Sequence, residues 1–275
     1  MKKVLTIAGS DSSGGAGIQA DLKSFSANGV YGMSVITAIT AQNTQGVFAV
    51  QDIDENIIKA QIDAIFTDIT VDAVKIGMVS KISTIGTISD RLQKYKPQNI
   101  VLDPVMISKS GYLLLKPESK TELINKLIPL ATIITPNLPE AEEILTEVNG
   151  KVEKIETIND MEIAAKEMYK LGCKNVFMKG GHLEGEAIDI LYDGVEITHF
   201  YSKRIPTKNT HGTGCTISSA IAANLALGYS VKESIEKAKE YINIAIKHSL
   251  DIGKGVGPTN HFYSLYKKAG MINGN

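Results

Sequence analysis

Short apolar runs alternate along the chain with stretches in which apolar positions recur every three or four residues. The first pattern predicts buried strands over 4–8, 31–40, 73–78, 99–102, 132–135 and 175–178, with 47–53 as a further strand at an edge. The second predicts helices over 18–27, 83–95, 119–127 and 160–171. Asp54 is placed to cap another helix, which presents Ile57, Ile58, Ile62, Ile65 and Phe66 on one face. One more helix follows Pro136-Asn-Leu-Pro-Glu140 and runs through Leu145. Residues 187–192 and 195–204 flank Asp193-Gly194, the strongest hairpin signal in the chain. A helix over 216–227 and a final one over 231–247, capped by Ser230, complete the order. Residues 148–155 read as loop, and the glycine-rich tail over 253–262 is expected to be mobile. Strands alternating with helices predict a mostly parallel central sheet with helices on both faces. No linker, repeat or low-complexity block divides 1–275, so one domain is expected.

Two glycine-rich turns interrupt this order. Gly9-Ser-Asp-Ser-Ser-Gly-Gly-Ala-Gly17 follows the first strand and opens a helix. Within it Gly15-Ala-Gly17-Ile-Gln-Ala20 fits the GxGxxA form of a dinucleotide fingerprint. That fingerprint also needs an acid about 20 residues on, and Val35-Ile-Thr-Ala-Ile-Thr40 has none, so NAD or FAD is discounted. A Walker A sequence is absent. The second turn is Asn209-Thr-His-Gly-Thr-Gly-Cys215, directly before a strongly helical run. Glycines let backbone N–H groups converge without a Cβ in the way. A helix N-terminus adds free donors and partial positive charge, so Gly212, Thr213 and Gly214 suit an anion such as phosphate. Cys215 at that position is expected to have a lowered pKa. The plainer alternative is a turn that caps a core helix, with Cys215 as a small buried filler.

Polar residues gather at the ends of the expected strands, where open α/β sheets place ligands. Gln42 offers a carbonyl acceptor beside an amide donor, which suits a heteroaromatic ring with an amino group next to a ring nitrogen. It equally suits a turn amide bonded to its own backbone. Asp103 could hold a magnesium ion through water or cap its loop. Asn137 and Glu140 suit hydrated Mg²⁺ together, although Glu140 is also a sensible first-turn helix acid. Lys179 stands before two glycines, within reach of a nucleotide phosphate. Ser108-Lys-Ser-Gly111 is a small polar loop able to cover a ligand.

Composition narrows the partners. With a net charge of -1 and scattered Lys and Arg there is no electrostatic case for nucleic acid or an anionic membrane. Trp is absent and 6% of residues are aromatic, which argues against a base-stacking platform. The two cysteines, Cys173 and Cys215, form no CxxC pair, and the five histidines show no metal-ligand spacing. This fits a reducing compartment. The apolar run at the N-terminus stops at Gly9-Ser-Asp11, too short for a signal peptide. No stretch approaches the roughly 18 apolar residues of a membrane span. A cytoplasmic location is expected.

Taken in order, these stretches resemble the ribokinase-like superfamily and, within it, the hydroxymethylpyrimidine/phosphomethylpyrimidine kinases of thiamine biosynthesis. The resemblance runs nearly end to end. It includes residues 8–23, Thr37-Ala-Ile-Thr-Ala-Gln-Asn-Thr44, Asp103-Pro-Val-Met106, Thr135-Pro-Asn-Leu-Pro-Glu140, Lys179-Gly-Gly-His182, His211-Gly-Thr-Gly-Cys-Thr216 and Gly257-Pro-Thr-Asn-His261. It implies a three-layer αβα sandwich and ATP-dependent phosphorylation of 4-amino-5-hydroxymethyl-2-methylpyrimidine, then of its monophosphate. By the same resemblance Gln42 reads the aminopyrimidine edge, with Gly9, Asp21 and Val105 as pocket neighbours. Asn137 and Glu140 look like the family's magnesium element, and Lys179 and Thr207 fall on the ATP side. Gly212, Thr213 and Gly214 become the anion hole, and Cys215 takes the substrate proton. Many superfamily members carry Asp where Cys215 stands, so a sugar kinase is disfavoured. Homodimers are common in the superfamily, and one is expected here. The alternatives are a pyridoxal or pyridoxine kinase of the same fold and a non-catalytic ligand-binding protein on this scaffold.

Overall fold

The computed structural model describes residues 1–108, 111–181 and 187–272. Lys109, Ser110 and His182, which the sequence motifs include, lie outside the described residues.

Strands β1 (Lys3–Asp11), β2 (Tyr31–Asn43), β3 (Gly46–Asp52), β4 (Ala73–Ile76), β5 (Ile100–Leu102), β6 (Ile133–Ile134), β7 (Val176–Met178), β8 (Ala187–Tyr192) and β9 (Ile197–Ser202) join in one sheet. Its order is β3-β2-β1-β4-β5-β6-β7-β8-β9. From β2 to β7 all neighbours are parallel, while β3 and the β8–β9 hairpin are antiparallel additions at the two edges. The order reverses at β1, where β2 and β4 lie on either side. At such a point the loops leave in opposite directions and open a crevice.

Successive side chains of a strand point to opposite faces, and the core divides accordingly. Leu5, Val74, Leu102 and Met178 pack on one face; Val4, Ala73, Val101 and Phe177 pack on the other. The first face is covered by α2 (Glu55–Asp68), α3 (Ile82–Tyr95), α5 (Leu138–Asn149) and α6 (Ile158–Tyr169) through residues such as Ile58, Ile85, Ile144 and Met168. The second is covered by α1 (Gly17–Ala27), α7 (Thr213–Leu227) and α8 (Val231–Lys247) through Phe25, Ile221 and Ile235. α7 is buried continuously from Thr216 to Ala226, as expected of a helix without a polar face. Burying full Val, Leu, Ile and Phe side chains stabilises by about 1.5–3 kcal/mol each, so both layers hold the sheet in place. The three-layer αβα architecture matches the sequence expectation. Asp54 caps α2 through the Asn56 N–H, and Ser230 and Glu233 close a capping box on α8.

Three expectations change. Residues 119–127 do not form one regular helix: tight turns at Pro117–Ser119 and Ile128–Leu130 flank α4 (Lys120–Glu122) and the wider turn Leu123–Leu127. Pro129 has no N–H to give, which suits a helix ending in a tight turn. A short helix, α9 (Tyr263–Lys268), follows the one expected to be last. The tail is tied down: Gly255 and Val256 donate to Thr44, Gly257 donates to the Asn209 carboxamide, and the Gly257 carbonyl accepts from His211 N–H. Among the described residues no helix is long and apolar enough to cross a membrane.

Candidate active site

β1 runs to Asp11, three residues beyond the expected strand, with a register shift between Ala8 and Ser10. Gly9 sits at that irregularity, and a Cβ there would meet Met78 Sδ at 2.9 Å. The strand delivers the Asp11 carboxylate into the glycine loop. It accepts from Ser13 N–H at 2.8 Å, Ser13 Oγ at 2.7 Å, Gly15 N–H at 3.0 Å and Ala16 N–H at 2.8 Å. A fifth donor, His211 Nε2 at 2.8 Å, comes from 200 residues further along the chain. Burial pushes the carboxyl upward, but the hydrogen bonds from His211 and Ser13 outweigh it and hold the pKa at about 2.

The ring that reaches Asp11 belongs to the second glycine turn, at the residue before Gly212. Gly212 has φ 77° and caps α7; a Cβ there would lie 1.7 Å from the Gly15 carbonyl oxygen. The two glycine turns therefore touch backbone to backbone. α7 starts at Thr213 rather than 216, so Thr213, Gly214 and Cys215 form its first turn, whose N–H groups have no intrahelical acceptor. Of these, the Thr213 N–H lies 3.4 Å from the Thr210 carbonyl just outside the helix.

The expected thiolate is not supported. Burial pushes the Cys215 thiol up to about 11; the Lys75 ammonium pulls against this, while Asp21 and Asp103 add to it. Helix-terminal charge does not compensate for two nearby carboxylates and loss of water. Asp21 is also corrected. It is fully buried and accepts from Lys75 Nζ at 2.9 Å and from Thr6 Oγ1 and Ser219 Oγ, both at 2.6 Å. Its carboxylate is consumed in tying α1 to β1, β4 and α7, so it is not available as a substrate contact. Burial opposes the charge on Lys75, but Asp21 more than offsets it and raises the lysine pKa.

On the other side of the turn lies a second cluster. Asp103 Oδ1 accepts from Lys179 Nζ at 2.9 Å and from Thr135 Oγ1 at 3.1 Å, and Ser218 Oγ stands 3.4 Å from Oδ2. Burial opposes ionisation of Asp103, yet Lys179 and Lys75 hold its pKa below the usual carboxylate range. Lys179 is raised by Asp103 and Glu140 against its own burial. A Cβ on Gly214 would meet Lys179 Nζ at 3.4 Å and Asp103 Oδ2 at 3.8 Å. The cationic group and the anion turn thus border one space.

Asn137 and Glu140 are brought together, but first as a capping box. Asn137 Oδ1 accepts from Glu140 N–H at 2.9 Å, and Glu140 Oε2 accepts from Asn137 N–H at 2.8 Å. The box uses one lone pair of the Asn137 oxygen and one carboxylate oxygen of Glu140. Glu140 keeps a further claim. Burial drives its carboxyl up to about 7, Lys179 pulls it down and Asp103 pushes it up. It is a buried acid short of positive charge. Among the described residues no three of His, Cys, Asp and Glu are grouped to hold a bare metal ion. A hydrated ion that also carries phosphate oxygens fits this donor set better than a protein cage does.

Gln42 is half-buried at the end of β2, where the pairing with β3 shifts register. Its backbone exchanges hydrogen bonds with Ser12 Oγ. Its side chain reaches Thr40 Oγ1 at 3.2 Å and His211 Nε2 at 3.5 Å rather than its own backbone. Val105 is half-buried in a tight turn closed by its N–H on the Asp103 carbonyl. Thr207 is bound into its loop by Ser249 Oγ at 3.1 Å and Asn209 N–H at 3.1 Å. A cavity of about 250 Å³ is lined by Gln42, Ser108, His211 and Lys254. A larger one, about 660 Å³, lies behind the first glycine turn against Lys23, Ile252 and Phe262. Neither is lined by Cys215 or Lys179.

A family model described as phosphomethylpyrimidine kinase matches residues 11–260. The chain belongs to that family. A hydroxymethylpyrimidine/phosphomethylpyrimidine kinase of Rhizobium meliloti is 50% identical, over 96% of this chain and 98% of its own length. A solved phosphomethylpyrimidine kinase of Clostridium difficile is 57% identical with a TM-score of 0.79, covering 90% of this chain and 100% of that one. An ADP complex of Bacillus subtilis pyridoxal kinase is 44% identical with a TM-score of 0.88, covering 96% and 99%. The fold is the ribokinase-like one.

Within this family frame, sequence reasoning passed over Asp11, His211, Lys75 and Ser218. Two of them left a signal. A lysine inside the apolar run 73–78 must find a buried carboxylate, and Asp11-Ser-Ser13 has the form of an Asx turn. The pairing of Asp11 with His211 depends on the tertiary fold.

Proposed function

We propose that the chain transfers the γ-phosphoryl group of ATP to the hydroxymethyl oxygen of 4-amino-5-hydroxymethyl-2-methylpyrimidine and then to the resulting monophosphate. Kinase activity in thiamine biosynthesis, and with it the use of ATP, follows from the family. The observation that carries the assignment of residues is the border between the first turn of α7 and the Lys179–Asp103 pair. Phosphoryl transfer asks for little covalent chemistry from the protein and for much positioning and charge neutralisation. The N–H groups of Thr213, Gly214 and Cys215 receive charge on the transferring phosphoryl group, and Lys179 neutralises it from the other side. Mg²⁺, held through water by Asp103 and Glu140, would supply further positive charge on the phosphates. Glu140, with a carboxyl pushed to about 7, is the group that most needs such a cation.

Gln42 receives the pyrimidine edge, with Gly9 and Val105 nearby. Cys215 acts as a neutral thiol that accepts a hydrogen bond from the substrate hydroxyl and orients it. A loose transition state develops little charge on the attacking oxygen early, so a thiolate is not required. A homodimer in the cytoplasm completes the proposal and is checked by light scattering and cell fractionation.

The 44% identical pyridoxal kinase supports a second reading, with pyridoxal as the substrate. Steady-state Mg-ATP turnover with each compound, with mono- and diphosphate products separated, decides between them. Pyrimidine diphosphate formed with kcat/KM well above that for pyridoxal is expected. Equal or better turnover of pyridoxal would overturn the assignment, and no turnover of either would favour a binding protein.

A further inference from the structure

The oxygen and nitrogen of a carboxamide are distinguished by their partners. The Gln42 side chain is placed with Oε1 3.2 Å from Thr40 Oγ1 and Nε2 3.5 Å from His211 Nε2. Both neighbours have a fixed polarity. Thr40 has one hydroxyl hydrogen, which goes to the Ser10 carbonyl at 2.7 Å, so towards Gln42 its oxygen can only accept. His211 Nε2 stands 2.8 Å from Asp11 Oδ2. Asp11 is ionised, with a pKa of about 2, and a carboxylate only accepts. His211 Nε2 therefore carries a hydrogen, which is directed at Asp11, and has no lone pair with which to accept from the Gln42 amide. Set that way, the Gln42 amide would point an N–H at a nitrogen that cannot accept it, and its oxygen at a hydroxyl whose hydrogen is already given away.

We infer that the Gln42 carboxamide lies the other way round, its N–H₂ towards Thr40 and its oxygen towards His211, and that Asp11, His211 and Thr40 together set the direction in which the substrate ring binds. His211 and Thr40 are positioning residues that act through Gln42, and the inference rests on Gln42 reading the pyrimidine edge. Each side of the amide keeps one unused group: a lone pair on the His211 side and an N–H on the Thr40 side. On the pyrimidine, the exocyclic amino group lies between ring nitrogen N3 and the carbon that bears the hydroxymethyl arm. The amino group donates to the amide oxygen, and N3 accepts from the amide N–H. The hydroxymethyl arm then extends past the oxygen, on the side of His211, and the next residue in the chain is Gly212 of the anion turn. The opposite amide would reverse the ring and carry the arm away from the turn. The backbone bond from His211 N–H to the Gly257 carbonyl at 3.0 Å and the five donors on Asp11 keep this pole in place.

The test uses the ratio of kcat/KM for the aminopyrimidine to that for its 4-deamino analogue. A general disturbance of the site lowers both values and leaves the ratio alone. His211→Leu should lower the ratio by up to about tenfold, because the N–H edge that turns the amide oxygen towards it is lost. Thr40→Val should lower it in the same sense. In a Gln42→Ala background His211→Leu should change the ratio no further, because it acts through Gln42. Equal effects of His211→Leu with and without Gln42 would overturn the inference while leaving the reading of Gln42 intact. A wild-type ratio near one would overturn both. Should His211→Leu fail to fold, neutron diffraction of the wild-type protein decides. Deuterons on the Gln42 atom facing Thr40 uphold the inference, and deuterons on the atom facing His211 overturn it.

Discussion

Asp11 and Glu140 are both buried acids beside a helix N-terminus, 2% and 8% exposed, on either side of the anion turn. Asp11 has five donors and a carboxyl held at about 2, whereas Glu140 has been pushed up to about 7. The difference lies in what surrounds them. Three backbone N–H groups, a hydroxyl and a ring N–H replace the water that Asp11 lost. Glu140 has backbone N–H groups and the attraction of Lys179, but Asp103 repels it and takes the shortest contact of that lysine. The half of the site around Asp11 is electrostatically complete before any ligand arrives. The half around Glu140 becomes so only with added positive charge, which suits the side proposed for Mg-ATP.

The contact that joins the halves is the most sensitive point. Gly212→Ala would force a Cβ to within 1.7 Å of the Gly15 carbonyl and strain a backbone at φ 77°. Losing one donor to a developing anion costs about 10²–10³ in kcat, and kcat should fall by at least that much. Gly181→Ala, where a Cβ meets nothing within 4 Å, should cost less than a tenth as much. If both variants lost activity alike, the backbone contact would have no special role.

Asp11→Ala should destabilise the fold by about 3 kcal/mol, because it leaves buried N–H groups without an acceptor. Urea unfolding would show this as a lower midpoint at unchanged slope. The folded pKa is depressed, so the contribution is present above 3.8 and is lost as pH falls towards 2. The gap between wild type and variant should narrow over that window. Glu140 has the opposite sign. Its folded pKa is raised from 4.5 to about 7, so wild-type stability falls as pH rises through that interval. Glu140→Gln keeps an oxygen for the capping box and removes the charge. It should be more stable than wild type by about 1–3 kcal/mol at pH 8.5, with no gain at pH 4. A pH-independent offset would show that the carboxyl is not under electrostatic stress.

The same contrast explains what the sequence disclosed. Local features could be read: Asp193 accepts from the Val195 and Glu196 N–H groups and Gly194 takes φ 94°, so the β8–β9 hairpin follows from two residues. Asn137 and Glu140 are three apart, and their meeting needs only a helix turn; the residues themselves left a metal and a helix-terminal acid both open, and the resemblance pointed to the metal. The Asp11–His211 and Asp21–Lys75 pairs and the tail bonds to Thr44 span 54 to 211 residues, and no short-range pattern reports their partners. The tail was expected to be mobile because its anchors lie in another part of the chain. α9 is six residues long with no side-chain cap, so it left neither periodicity nor a start signal.

Cys215 lies between the two halves and feels both Asp21 and Asp103. Its expected low pKa came from one local feature, the helix N-terminus; burial and two carboxylates brought in by the fold push the thiol the other way, up to about 11. This changes what its removal should do. A general base contributes about 10²–10⁴ to rate, whereas a neutral thiol that orients the hydroxyl contributes about one hydrogen bond. Cys215→Ala should therefore lower kcat about tenfold at unchanged ATP affinity, and Cys215→Ser should recover most of it. Single-turnover rates with saturating ATP separate this from product release. A loss of a thousandfold or more would return the thiol to the role of base, through a thiolate formed only once the nucleotide is bound. Wild-type kcat in Cys215→Ala would leave positioning and charge neutralisation by the turn and Lys179 as the whole of the protein's contribution.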